Sequence, residues 1–219
     1  VASARSRFVN SDVANTNAAT PADFPLRCPR GCLRASGGIV TREVLRVGAP
    51  SLSRIAADVV DVNDPAVRRD AADLCEALAA FRAAHGFGRA IAAPQIGIDR
   101  RMIALAVPGW PDVIVNPEIV WTSDARVTLW DDCMCFPETL VRVARYASIS
   151  VRCMDLSGDV YMRAKLPLAQ AELLQHEIDH LDGKLSFDRA VGENAVVSRR
   201  VFDADRETFA RQVDYFPQR

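Results

Sequence analysis

Apolar residues at Val67, Ala71, Leu74, Leu78 and Phe81 recur three or four positions apart, with Arg and Asp residues between them. This spacing predicts an amphipathic helix over 65–84, ended before Gly86. Short apolar stretches follow at 102–107, 113–115, 127–130 and 149–153, parted by Pro, Gly, Asp and Ser turns. They predict a mainly antiparallel β framework. Leu168, Ala171, Leu174 and Ile178 mark one buried face of a further helix over 167–182, which Gly183 stops. A last helix is predicted over 193–212. Helix, strands, helix and helix in that order argue an α+β fold, with antiparallel β-sheets around a central helix and helices towards both ends. Residues 39–219 read as one catalytic domain, without internal repeat or linker. Residues 21–38, with Pro21, Pro25, Pro29, Gly31, Gly37 and Gly38, read as a turn-rich lead-in.

Composition bounds the function. With 49% hydrophobic residues in 219, the chain can bury an ordinary core. Its 27 basic and 28 acidic residues leave a formal charge of −1, so overall charge gives no case for binding nucleic acid or an acidic membrane. No apolar run reaches membrane-span length, and a soluble protein is expected. The cysteines, Cys28, Cys32, Cys75, Cys133, Cys135 and Cys153, are expected as thiols in a reducing compartment, because a chain of this length needs no disulfide framework. Cys75 and Cys153 fit small core positions. Cys28 and Cys32 form a CxxxC without a second ligand pair nearby, since His85 is isolated. Residues 1–20 carry Arg5 and Arg7 against one acid, Asp12. The 1–38 extension is therefore expected to be an organellar targeting remnant or a disordered segment, placing the protein in a mitochondrial or other organellar matrix, with the cytoplasm as the alternative.

The chemistry is concentrated in His176-Glu177-Ile178-Asp179-His180. Helical positions i and i+4 share a face, so both imidazoles can reach one metal ion while Glu177 stays near enough to move a water proton. Two histidines leave a catalytic site one ligand short. A metzincin pattern keeps its glycine at Gly183 but meets Ser186 where the third histidine should stand. A thermolysin-like site would draw on Glu193 or Glu207.

The stretch Gln175 to Gly183 resembles the HExDHLxG motif of peptide deformylases. Two further motifs of that family occur upstream in the expected order. The family's EGCLS motif, commonly followed by an apolar residue and proline, has its counterpart in Asp131-Asp132-Cys133-Met134-Cys135-Phe136-Pro137, and GxGxAAxQ in Gly88-Arg89-Ala90-Ile91-Ala92-Ala93-Pro94-Gln95. The resemblance spans roughly residues 40–190. It implies that Cys133, His176 and His180 hold one divalent metal, Fe²⁺ by family habit, with Zn²⁺, Ni²⁺ or Co²⁺ as alternatives for a thiolate with two imidazoles. It further implies removal of formyl from N-formylmethionyl peptides, with release of formate, the substrate being expected at an organellar ribosome. Glu177 would act as base and then acid, while the Gln95 amide and the Met134 backbone N–H stabilise charge on the formyl oxygen. Gly88, Arg89, Ala90 and Asp132 would line the substrate path. Arg145 is expected to pair with Asp179 or Asp131.

Three replacements raise a second expectation. Asp132 and Ala90 stand where the motifs have glycine, and Arg89 puts a charge beside the substrate path. A carboxylate at 132 is expected near the metal, where it would crowd the peptide or raise the pKa of bound water, and the lost glycine puts a left-handed turn in question. The alternative function is a deformylase-like, metal-holding binding protein that has lost efficient turnover. A zinc peptidase, indifferent to Cys133, ranks behind both.

Overall fold

The computed structural model describes residues 42–217. The 1–38 extension, its lead-in and the Cys28/Cys32 pair lie outside them. Helix α1 (Pro65–His85) begins where Asp64 accepts a hydrogen bond from the Ala66 N–H and Pro65 supplies a fixed φ, and it ends at Gly86 in the left-handed region. Strands β1 (Ala90–Ala92), β2 (Met102–Leu105) and β3 (Val113–Thr122) follow, then β4 (Arg126–Asp132), β5 (Thr139–Tyr146), β6 (Ile149–Met154) and β7 (Val160–Arg163). Helix α2 (Leu168–Leu181), strand β8 (Val196–Ser198) and helices α3 (Arg199–Ala204) and α4 (Arg206–Ala210) complete the order. All strand pairings are antiparallel, in one sheet ordered β1-β2-β3-β6-β7 and another ordered β4-β5-β8. This is the α+β architecture expected.

The larger sheet is covered on both faces. Ile91, Met102, Ala104 and Val115 pack with Leu74 and Leu78 of α1. Their neighbours Ile103, Leu105 and Ile114 pack with Leu174, Ile178 and Leu181 of α2. Side chains alternate across a strand, so two covered faces demand an unbroken apolar run, which is why β1 and β2 are buried at every position. In β3 the run extends past the predicted 113–115 through a bulge. There Asn116 takes φ 46°, and its amide both donates to and accepts from the Val59 backbone at 2.9 Å.

Two expectations for the helices are corrected. Helix α2 was expected to bury one face, but Ala171 to Leu181 are all buried, because α2 lies against β1, β5 and the turn at Ala93–Ile96 together. The continuous helix over 193–212 is absent. Val196 and Val197 pair with β5 instead, Ser198 caps α3, and Asp205 breaks the path and caps α4. Trp130, Phe202 and Phe209 pack edge-on or stacked where these short helices close over β4.

Candidate active site

Helix α2 carries Glu172, His176 and His180 at successive i+4 positions, so the three share a face. Strand β4 ends immediately before Cys133. The ligand atoms of Cys133, His176 and His180 lie within 4.8 Å of one another, all three residues buried. His180 Nε2 is 3.2 Å from His176 Nε2 and 3.3 Å from Cys133 Sγ. A carboxylate only accepts, so the 3.0 Å contact between His176 Nδ1 and Asp131 Oδ2 makes Nδ1 the donor and leaves Nε2 turned to the cluster. Buried His180 Nδ1 has no hydrogen-bond partner among the described residues. One thiol and two imidazoles focused at this spacing fit a tetrahedral ion with a position left open, and the set suits a borderline or soft divalent metal.

Glu177 is 3% exposed, and its Oε2 has no hydrogen-bond partner among the described residues. Burial raises its pKa to about 7, against the pull of His176. Burial also opposes charge on His176, but Asp131 overrides it and lifts the imidazole to about 9. The Cys133 thiol is pushed up by burial and by Cys135 beside it. Gln95 sits on the turn at Ala93–Ile96. Its Oε1 accepts from the Ala92 N–H at 2.7 Å, which aims Nε2 at Cys133 Sγ, 3.7 Å away, and Cys135 Sγ, 3.6 Å away. Arg145 meets both predicted partners, donating to Asp131 at 2.7 Å and Asp179 at 3.0 Å. Ser186 donates to the same Asp131 oxygen at 3.1 Å, and Arg189 binds the other face of Asp179 at 2.7 Å. Sequence reading gave Ser186 and Arg189 no part in the site.

One cavity opens onto this cluster, lined by Phe81, Gly88, Met134, Leu173, Glu177 and Asp132 among others. A model of the polypeptide deformylase family matches residues 41–195. The chain belongs to the peptide deformylase family. The peptide deformylase of Thermomicrobium roseum is 38% identical over 179 residues, covering 78% of this chain and 96% of the relative. That of Dictyoglomus thermophilum is 37% identical over 153 residues, covering 69% and 94%. The crystal structure of peptide deformylase from Thermotoga maritima superposes with TM-score 0.60 at 29% identity, over 68% of this chain and 97% of that one. A Legionella pneumophila peptide deformylase gives 0.62 at 28%, over 78% and 96%. The protein is thus an enzyme of a metal-dependent family that acts on formylmethionyl peptides.

The unusual residues of this deformylase can now be placed. Neither Ala90 nor Asp132 has a positive φ. Ala90 opens β1 and Asp132 closes β4, so both former glycine positions are extended backbone that any residue adopts. The Asp132 carboxylate is not left facing the metal ligands as an uncompensated charge, because Arg199 donates to it at 2.9 Å. Gly88 does require glycine: its φ is 127°, and an added Cβ would lie 3.0 Å from the Met134 side chain. The thermolysin-like ligands are excluded by place, since Glu193 is exposed and Glu207, also exposed, pairs with Arg211 at 2.6 Å. Arg89 lines the cavity and is tied to buried Glu172, which sequence reading overlooked. The i+4 register from Glu172 to His176 was the available signal. Cys75 and Cys153 are buried core residues.

Proposed function

We propose that Cys133, His176 and His180 hold a ferrous ion and that Glu177 moves the protons of formyl hydrolysis. The observation that carries this reading is the buried carboxylate of Glu177, raised to about 7 and adjacent in sequence to the ligand His176. A group poised near neutrality can both take a proton from water and return it to the departing amine. When bound, the divalent ion would supply Lewis acidity, making water acidic enough to ionise near neutral pH. Gln95, held by the Ala92 N–H, presents a fixed donor to oxygen that gains charge, and the Met134 backbone N–H is assigned the same task. The choice of Fe²⁺ over Zn²⁺, Ni²⁺ or Co²⁺ rests on the family resemblance and is tested by metal content after anaerobic purification.

The substrate enters extended in this reading. Strand β1 ends one sheet and β4 ends the other, and Gly88, Arg89, Ala90 and Asp132 from these edges line the cavity. Thr128 of β4 is already taken by Asp214 and Tyr215, but nearer the cavity such strand edges offer backbone hydrogen bonds to an added strand, which suits a nascent amino terminus. The composition of residues 1–20, with Arg5 and Arg7 against one acid, supports an organellar matrix as the place where that substrate is met. The experiment is formate release from formyl-Met-Ala-Ser by Fe²⁺-loaded protein beside Glu177→Gln with equal metal. Turnover lost only in the variant supports the assignment. Turnover retained by the variant removes Glu177 from it, and no turnover by the fully loaded parent favours the metal-holding binding protein.

A further inference from the structure

The cavity wall next to His176 contains an ion pair. Glu172, one helical turn before His176, is 2% exposed. Arg89 Nη2 donates to its Oε1 at 2.6 Å, and Nη1 donates to the Ala169 carbonyl at 3.0 Å. The same cavity is lined by apolar Phe81, Met134 and Leu173 and, elsewhere, by charged Asp132 and Arg199, which are paired with each other. The Arg89 side chain keeps 29% of its surface open. Guanidinium carries five N–H donors and two are engaged here, so donors remain for a ligand. The carboxylate already balances the charge, so the wall invites a neutral acceptor rather than an anion.

Resting on the deformylase reading, we propose that the Arg89–Glu172 pair makes this a hydrogen-bonding pocket for the substrate's first side chain, suited to formylmethionine whose sulfur has been oxidised to the sulfoxide. A thioether is a weak acceptor, and laying it over Arg89 strips water from the guanidinium without replacing those hydrogen bonds. A sulfoxide oxygen of nearly the same reach replaces them. An all-apolar wall has the opposite preference, because the sulfoxide would lose its own water there unpaired. The reaction is unchanged: the formyl C–N bond breaks, water adds across it, and the sulfoxide is neither formed nor reduced.

The test compares kcat/KM for formyl-Met-Ala-Ser and its methionine-sulfoxide counterpart, using metal-loaded parent protein and Arg89→Leu/Glu172→Leu, which replaces the pair with apolar residues. The sulfoxide-to-thioether ratio is expected to fall roughly tenfold or more in the double variant, the worth of one charge-assisted hydrogen bond. Efficient turnover of the thioether peptide with an unchanged ratio overturns the pocket assignment and leaves the deformylase reading intact. No formate from either peptide with the loaded parent overturns both. Should the double variant not fold, dissociation constants of the two peptides from metal-loaded Glu177→Gln protein decide. Equal or tighter sulfoxide binding supports the proposal, and weaker binding than that of the thioether overturns it.

Discussion

Arg145 Nη2 meets Asp131 Oδ2 at 2.7 Å, and that one oxygen also accepts from His176 Nδ1 and Ser186 Oγ. Burial opposes charge on Asp131, yet His176 and Arg145 hold its carboxyl well below the usual range. An imidazole of the candidate metal cluster is thereby fixed in orientation through a carboxylate that is itself fixed by a guanidinium. Truncating Arg145 to Leu leaves two buried carboxylates, Asp131 and Asp179, without that cation. Unfolding in denaturant should show a loss of about 3–5 kcal/mol. A double-mutant cycle with Asp131→Asn should show strong coupling, and additive losses would refute the link.

Asp131→Asn alone should weaken metal retention by about 10- to 100-fold, the usual consequence of removing the partner of a ligating imidazole. Competition with a chelator measures it. Cys133→Ser should weaken retention further, because it removes a ligand and not merely its support.

Gln95→Leu keeps the volume at a residue 1% exposed but removes the donor. If that donor faces charge that grows during reaction, kcat should fall by about 10²–10³ with KM little changed. A rise in KM alone would assign Gln95 to ground-state binding.

In the metal-free protein the Glu177 and His176 contributions to stability should fall as pH rises, whereas His180, held well below its usual value by burial and by His176, contributes the opposite slope below pH 6.5. Glu177 goes from 4.5 to about 7 on folding, so between those values the folded state holds the extra proton and each step upward in pH favours unfolding. His176, raised from 6.5 to about 9, continues the same trend over the next window, its contribution being full below 6.5 and gone above 9. Denaturant midpoints from pH 4.5 to 9 would trace both. Glu177→Gln should remove only its own fall between pH 4.5 and 7, worth roughly 3 kcal/mol. Metal affinity should run the other way, since ligands bind deprotonated.

Gly183 has φ 68°, and a Cβ there would stand 2.8 Å from the Arg54 backbone. Gly183→Ala should cost well over ~1 kcal/mol in stability, read from thermal or denaturant unfolding. The glycine ends α2 and lets 53–54 close against it.

The chemistry was legible because it is local. His176 and His180 share a helix, and Cys133, Met134 and Gln95 sit in short motifs that a resemblance could align. The same locality exposed helix α1 through its period and the Gly86 that ends it. What the sequence hid depends on partners distant along the chain. Glu172 reads as an ordinary polar helix residue until Arg89, far upstream, lies against it. Asp132 looked like an obstruction because it puts a charge where the motif has glycine, and its partner Arg199 lies far along the chain, in a predicted long helix that instead breaks where Val196 and Val197 pair with β5. Strand β1, three residues long, carries too little periodicity to stand out beside its turn.

Helix α2 has no solvent face from Ala171 to Leu181. An element enclosed in this way cannot fray or swing out independently, so its amide protons should exchange with solvent only through global unfolding. The reactive groups on α2 consequently share the lifetime of the whole fold. Adaptation to different peptides is left to cavity residues outside α2, such as the exposed Arg206 and Phe216.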